Sequence, residues 1–400
     1  MNADSYRRAL AIGARLPGHG GLRVNAALLG IELEHLQLER AGELPVVWSS
    51  PLVPAELLAA LGIGSVKPEA IGAVLASVGQ GGRLLERADA EPLSADCCSF
   101  QRVAVAALGA GLVPVPRAFL ATTPICDDSQ VMGGYLGRKH DRPFFLVDVP
   151  AVASQAAERY VLDQLRGLVG PLEKIAGRAL DPERLAAAVR ESNRARTHWL
   201  EANRMRREHP PVAYGAASLR LTGGPLLQKL GLPQTADALR DYAGEIRGRI
   251  DAGTFLPVRR RLLWLHLYPL YDARFMRFVE EELGLVVVFE ESSDVWWDEL
   301  DPRDPFPGFA RRIMGCPFAG PVERRVEAVT RLARAYRADG VVHFSHRGCK
   351  SLTGGFPFVA RALRKESVPV LELSGDCVDN RSPATAPWRS RLEAFAEMLG

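Results

Sequence analysis

The chain has 400 residues, of which 47% are hydrophobic and 24% charged, with a formal net charge of +3. This length suggests two or three domains, large enough to bury their cores without disulfides. Lys and Arg are spread among Asp and Glu with no basic block, which argues against a nucleic-acid partner, and no window approaches the ~18 uninterrupted apolar residues of a membrane span.

The N-terminal MNADSYRRALAIGARLPGHGG is broken by glycine and lacks the continuous apolar core of a signal peptide, so a cytoplasmic setting is expected. Residues 1–40 are predicted to be helical and polar. LPVVW (44–48) is a short β-type run that ends at Ser49-Ser50-Pro51, and PAELLAALG (54–62) is a helix closed by Gly62. Strand, polar turn and helix open a parallel α/β unit. Two helical pieces joined at GQGG (79–82) follow. In SADCCSF (94–100), a Ser/Asp pair before VAVAALGAG marks a helix start and places Cys98 in the first turn, where partial positive charge favours a thiolate. AFLATTPICDD and FFLVDVP (144–150) are predicted as successive buried strands.

Residues 151–254 have mainly helical spacing, and Asp-Pro at 181–182 is a good N-cap and N1 pair. The α/β pattern returns with RRLLWLHLYP (260–269) as a strand, ARFMRFVEEELG (273–284) as a helix and LVVVFEE (285–291) as a strand. Later strands are expected at 341–345 and 368–373, each followed by a helix. Strands alternating with helices of this length form parallel sheets. The fold expected is α/β: an N-terminal helical segment (1–40), two Rossmann-like lobes with parallel sheets (41–150 and 255–400), and a helical middle (151–254) between the lobes.

The chemistry-bearing candidates are sulfur. In a reducing compartment the cysteines at 97, 98, 126, 316, 349 and 377 are metal ligands, catalytic groups or buried thiols before they are disulfides. Free cysteine often behaves as a small buried hydrophobe. Cys349 departs from that in HRGCKSLTGG, and Cys126 lies between a Thr-Thr-Pro turn and two aspartates. Ser49, Ser50, Cys126 and Cys349 all follow apolar β-type runs, and ligands of open α/β sheets sit at the carboxyl ends of strands. Neither CxxC nor CxxCxxC occurs, nor GxxxxGK[ST], a strand-borne GxGxxG, GxSxG or HExxH. A zinc ribbon, ATP or dinucleotide binding, and a hydrolase elbow therefore have no motif here. His346 is either a ligand or proton carrier beside Cys349 or a loop histidine facing water, while His343 lies within a strand and reads as structural. WWDELDPRDPF (296–306) either covers a cleft or is anchored to the body by its tryptophans. Asp376 and Asp379, after a strand's carboxyl end, either bind substrate or cap the following turn, and capping is the favoured reading.

In order, PVVWSSPLVPAELLAALG, CSFQR, TTPICDD, FFLVDVP, WWDELDPRDPFPGFARRIM, RADGVVHFSHRGCKSLTGG, VPVLELSGDCVDNR and RLEAFAEML resemble the 2-hydroxyacyl-CoA dehydratase D-component family, which includes subunits of ATP-dependent benzoyl-CoA reductase. The resemblance covers residues 40–150 and 255–400. It implies a [4Fe–4S] cluster held by three cysteines, here Cys98, Cys126 and Cys349. Cys98 is preferred to Cys97 because it precedes Ser-Phe. The resemblance also implies a related second subunit and an ATP-hydrolysing iron–sulfur activator. The chemistry that the resemblance implies is conversion of the thioester carbonyl by one low-potential electron to a ketyl that expels the 2-hydroxyl. Ser49 and Ser50 are candidate partners of that carbonyl, and His346 a nearby proton carrier. The alternatives are a subunit of an aryl-CoA reductase, in which the electrons stay in the product, and a structural or electron-relay paralogue.

Overall fold

The computed structural model describes residues 23–215, 226–381 and 383–400. The expected N-terminal helix is seen as α1 (Val24–Ala41), closed by Gly42 in the left-handed region at φ 75°, while residues 1–22 lie outside the described part. The first lobe follows as β1 (Val46–Ser49), α2 (Ala55–Leu61), β2 (Gly64–Val66), α3 (Pro68–Ser77), α4 (Gly81–Ala88), α5 (Ser99–Gly109), β3 (Ala118–Thr122), α6 (Asp127–His140) and β4 (Phe144–Val147). Helices α7 (Gln155–Gly167), α8 (Val169–Ala176), α9 (Pro182–Glu208) and α10 (Pro233–Asp251) make the middle. Asp181 caps α9 by accepting the Glu183 N–H at 2.9 Å, as Asp-Pro predicts. The second lobe contains β5 (Arg260–Leu265), β6 (Leu285–Glu290), α11 (Phe306–Met314), α12 (Val322–Ala335), β7 (Gly340–His346), α13 (Lys350–Lys365), β8 (Val370–Gly375) and α14 (Thr385–Leu399).

Both sheets have four strands, all paired in parallel, in the orders β2-β1-β3-β4 and β6-β5-β7-β8. The wiring is the same: the second strand lies outside the first, and the third and fourth continue on the other side. In each sheet the order therefore reverses between its first and third strands, the position where open α/β sheets bind ligands. One apolar cluster unites Trp48 and Phe119 of the first sheet with Trp264, Val342 and Phe344 of the second, with α5 and α14 packed into it.

The structure adds elements that the sequence pattern concealed. Helix α6 lies where only a connection between strands was expected. Its Gly133, Gly134 and Gly137 are poor helix formers, but a Cβ on Gly133 would stand 2.6 Å from the Phe144 ring, so glycine lets the helix lie close to β4. Strand β2 is three residues long, too short to show a period. Strand β4 was expected to be buried; it is an edge strand, half-buried, with Leu146 39% exposed. The helix expected at 273–284 is a single turn, Phe275–Arg277, continued by a π turn, Phe278–Glu282. This irregular turn carries buried Glu280, which accepts N–H bonds from Gly215 at 2.7 Å and Val287 at 3.1 Å.

The WWDELDPRDPF loop is anchored. Trp296 donates Nε1–H to the Arg312 carbonyl at 2.9 Å, Trp297 packs edge-on against Trp199 at 5.7 Å, and Asn193 hydrogen-bonds both backbone groups of Leu300. The lobes and middle also share buried ion pairs. Glu56 of α2 accepts two bonds from Arg312 of α11, at 2.6 and 2.8 Å, and a third from Ser192 of α9 at 2.6 Å. Burial alone would raise the Glu56 pKa, but Arg312 and Ser192 hold it below its ordinary value. Arg206 of α9 pairs with Glu290 of β6 at 2.7 Å, and Arg325 of α12 pairs with Glu291 at 2.8 Å. Arg312→Met is expected to cost about 3–5 kcal/mol in urea unfolding, because it strands a buried carboxylate; Glu56→Leu combined with Arg312→Met should recover much of that loss.

Glu39, on the buried side of α1, behaves oppositely. Burial lifts its pKa from 4.5 to about 8, against the pull of Arg117 and Arg142. The folded chain thus holds a proton between those pH values that the unfolded chain releases, so this contribution to stability is full below pH 4.5 and is lost as pH rises through about 8. Glu39→Gln should flatten the fall in stability measured across this window.

Candidate functional site

The carboxyl ends of three inner strands, β1 and β3 of the first sheet and β7 of the second, carry most of the sequence candidates. Ser49 ends β1 and Ser50 follows it; Cys126 follows β3; Cys349 follows β7, which ends at His346. Cys126 and Cys349 occupy equivalent places, each the residue before the helix that follows its lobe's third strand. Cys126 is the N-cap of α6, Cys349 that of α13 and Cys98 that of α5. Three helix N-termini therefore present cysteines to one region. The partial positive charge at each favours negative charge on its sulfur by about 0.3–1 kcal/mol where exposed.

The two lobes touch at this point. A Cβ on Gly348 would stand 2.5 Å from the Cys98 Cα and 3.0 Å from its nitrogen, so the turn after β7 lies directly on the cysteine loop of the first lobe. The Cys98 N–H donates to Asp128 Oδ2 at 2.5 Å, which ties that loop to the first turn of α6. Gln101, in the first turn of α5, points its Nε2 at Cys126 Sγ at 3.8 Å, at Ser129 Oγ at 3.0 Å and at Glu69 Oε1 at 2.8 Å. Ile125, immediately before Cys126, has φ 79°. A β-branched residue there is strained by about 1–3 kcal/mol, strain that only surrounding contacts can maintain.

The sulfurs feel one another. Burial raises the Cys98 pKa well above its ordinary value, and neighbouring Cys126 and Cys349 add to the rise, while the amides of Phe100 and Gln101 oppose it. Burial takes Cys126 up to about 12, with Glu69 and Cys349 contributing and Ser129 opposing, and takes Cys349 up to about 11 against the Leu352 amide and Arg325. Cys97 is set apart: after burial, its upward shift comes from Asp128, not from the other thiols. Cys316 is buried in the apolar cluster around α2, α7 and α11. Cys377 is buried beyond β8, with its N–H on His346 and its carbonyl on the Leu270 N–H at 2.9 Å.

His346 is 1% exposed, with Nε2 at 3.5 Å from both Cys98 Sγ and Ser99 Oγ. Burial lowers its pKa, Asp376 opposes that and Arg347 adds to it. Ser50 Oγ accepts the Thr122 N–H at 3.0 Å and lies 3.3 Å from Thr122 Oγ1, so this hydroxyl helps join β1 to β3; both Ser49 and Ser50 are buried. Asp376 caps its turn, accepting the N–H groups of Val378 and Asp379 at 2.7 Å each, and Asp379 accepts the Arg381 N–H at 3.0 Å. Buried His343 stacks on Phe356 at 4.0 Å. Thr123 and Pro124, in the turn that carries Cys126, line a cavity of about 210 Å³ closed from the second lobe by Met314, Gly320 and Arg324.

Over residues 52–399 the sequence matches the family described as 2-hydroxyglutaryl-CoA dehydratase, D-component. The chain belongs to this family. Among curated relatives, the (R)-phenyllactyl-CoA dehydratase alpha subunit of Clostridium sporogenes is 24% identical over 380 residues, covering 91% of each chain. The lactoyl-CoA dehydratase subunit alpha of Anaerotignum propionicum is 22% identical, covering 90% of this chain and 91% of that one. A benzoyl-CoA reductase subunit of Thauera aromatica is 24% identical, covering 80% of each.

One residue of this dehydratase-family chain stands at the site without a sequence signal. His266 follows β5 as Ser50 follows β1, and its φ is 68°. Its N–H is held by Glu291 at 2.9 Å, its Nδ1–H donates to the Phe344 carbonyl at 2.9 Å, and its ring lies 6.1 Å from that of His346. Burial lowers its pKa to about 3, with His346 adding to the shift, so the ring is neutral. A histidine closing an apolar run has no spacing to flag it; the strained backbone is visible only in three dimensions. Among the described residues, no helix is long and apolar enough to cross a membrane.

Gly348→Ala tests the lobe contact. The added methyl group would meet backbone, which yields less readily than a side chain, and the expected loss is about 1–3 kcal/mol in chemical unfolding. Gly354→Ala, at a position with open space around it, should be close to neutral.

Proposed function

We propose that this chain is the iron–sulfur subunit of a 2-hydroxyacyl-CoA dehydratase, with Cys98, Cys126 and Cys349 as the protein ligands of a [4Fe–4S] cluster. The observation that carries the proposal is the proximity of these cysteines, each the N-cap of a helix, with Cys126 and Cys349 beyond the carboxyl ends of β3 and β7 and Cys98 beneath the turn at Gly348. The donor set fits such a group: sulfur only, partly shielded from water, each sulfur facing backbone amides that can tune a cluster. Among the described residues no three His, Cys, Asp or Glu side chains are grouped closely enough to hold a single metal ion.

Such a cluster would supply one low-potential electron and, at an iron without a cysteine, a Lewis-acid contact. The chain's own residues bind and enclose. The Ser49–Ser50 turn offers polar contacts to the thioester, and the cavity bounded by Thr123 and Pro124 takes the acyl end. The reduced thioester expels its 2-hydroxyl as hydroxide, the β-hydrogen leaves as a proton, and the electron is returned, so the net change is loss of water. The electron comes from a separate ATP-hydrolysing activator, a reading with which the lack of a GxxxxGK[ST] motif in this sequence is consistent. A related second subunit is its partner, in keeping with the relatives' names as alpha subunits. The protein works in the cytoplasm under anaerobic conditions. The similarity to a benzoyl-CoA reductase subunit favours a second reading, reduction of an aryl-CoA, in which the electrons remain in the product.

Purified without oxygen, the chain is expected to hold about four irons. Cys98→Ser, Cys126→Ser and Cys349→Ser should each lose most of the iron, and Cys316→Ala should keep it. A colourless, iron-free chain that supports turnover with its partner subunit would sink the proposal. Turnover of a 2-hydroxyacyl-CoA against benzoyl-CoA, with activator and ATP, separates the two readings.

A further inference from the structure

We propose that His346 tunes the reduction potential of the group bound by Cys98, Cys126 and Cys349, by donating its Nε2–H to the Cys98 sulfur. This rests on those cysteines being the ligands. The tautomer follows from the neighbours. Nδ1 lies 3.2 Å from the backbone nitrogen of Cys377, which has only a hydrogen to offer, so Nδ1 is the acceptor and the ring proton is on Nε2. Nε2 has two atoms within reach, Cys98 Sγ and Ser99 Oγ, each at 3.5 Å. Ser99 gives its own proton to Asp376 Oδ1 at 2.8 Å, and Asp376 is fixed by the Val378 and Asp379 amides. The hydroxyl therefore presents only lone pairs to the imidazole. Both atoms facing Nε2 are acceptors, and the sulfur is the more electron-rich once it ligates metal.

The ring has little freedom to turn away. It is buried, Phe100 packs edge-on to it at 5.4 Å and His266 lies 6.1 Å away. A donor to a ligating sulfur favours the electron-rich reduced state and so raises the potential. The bond also crosses between lobes, since His346 ends β7 and Cys98 opens α5. His346 is thus a positioning and tuning residue, distinct from the groups that touch substrate.

The test is a redox titration, followed by EPR, of the full chain loaded with iron and sulfide without oxygen. His346→Phe should hold iron yet show a midpoint shifted to more negative potential, while His346→Gln, which keeps an N–H donor, should lie nearer to wild type. A Phe variant that loads iron and keeps the wild-type midpoint overturns the proposal. Should the Phe variant take up no iron, wild-type protein labelled with nitrogen-15 histidine decides the matter. A nitrogen coupling and an exchangeable proton at the reduced cluster support the bond, and their absence overturns it. A wild-type chain that binds no iron overturns the ligand assignment itself, an outcome distinct from an unchanged midpoint.

Discussion

The site depends on the absence of one side chain. Gly348 lies so close to the Cys98 backbone that a Cβ would stand 2.5 Å from the Cys98 Cα. This contact sets the turn after β7 against the loop before α5, and so brings the cysteines of two lobes to one place. It does not hold the lobes together by itself. The apolar cluster shared by both sheets supplies the larger share, because the net worth of a buried ion pair is small once desolvation is counted. Pairs such as Glu56 with Arg312 and Arg206 with Glu290 instead fix register: each joins different elements at a defined separation, and each is costly to break. Apolar burial gives adhesion, buried charge gives alignment, and the glycine lets the alignment close.

The strands of this fold were legible because most are nearly continuous apolar runs, as strands covered on both faces must be. LPVVW, RRLLWL, LVVVFE and GVVHFSH give β1, β5, β6 and β7, and the alternation with helices gives the parallel sheets. What remained hidden had local chemistry opposed to its tertiary role. Helix α6 is rich in glycine because it lies close to Phe144, and propensity alone argues against it. The π turn at Phe278–Glu282 carries Glu280, whose hydrogen bonds come from Val287 on the next strand and from Gly215, 65 residues away. At the site, the polar surroundings of Cys126 and Cys349 set them apart from core thiols. The neighbours of each sulfur could not be read the same way. Cys97 and Cys98 are adjacent in sequence, and only the fold shows that Cys98 faces Cys126 and Cys349 while Cys97 faces Asp128.

The shared wiring of the two sheets makes the asymmetry of the site informative. Cys126 and Cys349 are equivalent in topology, and so are Ser50 and His266, yet only the second lobe places a histidine at the end of its third strand as well. Ser50 turns its hydroxyl to its own lobe, bonding Thr122. His266 also bonds inward, through Nδ1 to Phe344, but its backbone is held in the left-handed region by Glu291, itself paired with Arg325. The same Arg325 donates to the Leu352 carbonyl at 2.5 Å in the first turn of α13, the helix that Cys349 caps. One buried guanidinium therefore supports both the strained histidine and the helix start that presents the cysteine. In the first lobe, Cys98 and Cys126 are held instead by Asp128 and Gln101.

This division bears on how the site responds to motion. Within a lobe, each cysteine caps its own helix, and its sulfur faces amides of that helix's first turn. Between lobes, the contacts around Cys98 include the Gly348 approach to its backbone, the His346 bond to its sulfur and the Ser99 hydroxyl on Asp376. These contacts meet at Cys98 and the residue after it, so a relative displacement of the lobes is felt directly there. A hydrogen bond weakens with distance and angle, so this N–H···S contact at 3.5 Å depends on how the lobes sit against each other. The electronic character of the Cys98 sulfur is consequently tied to how firmly the second lobe is seated, and that seating rests on the apolar core and the aligned ion pairs, not on the sulfurs.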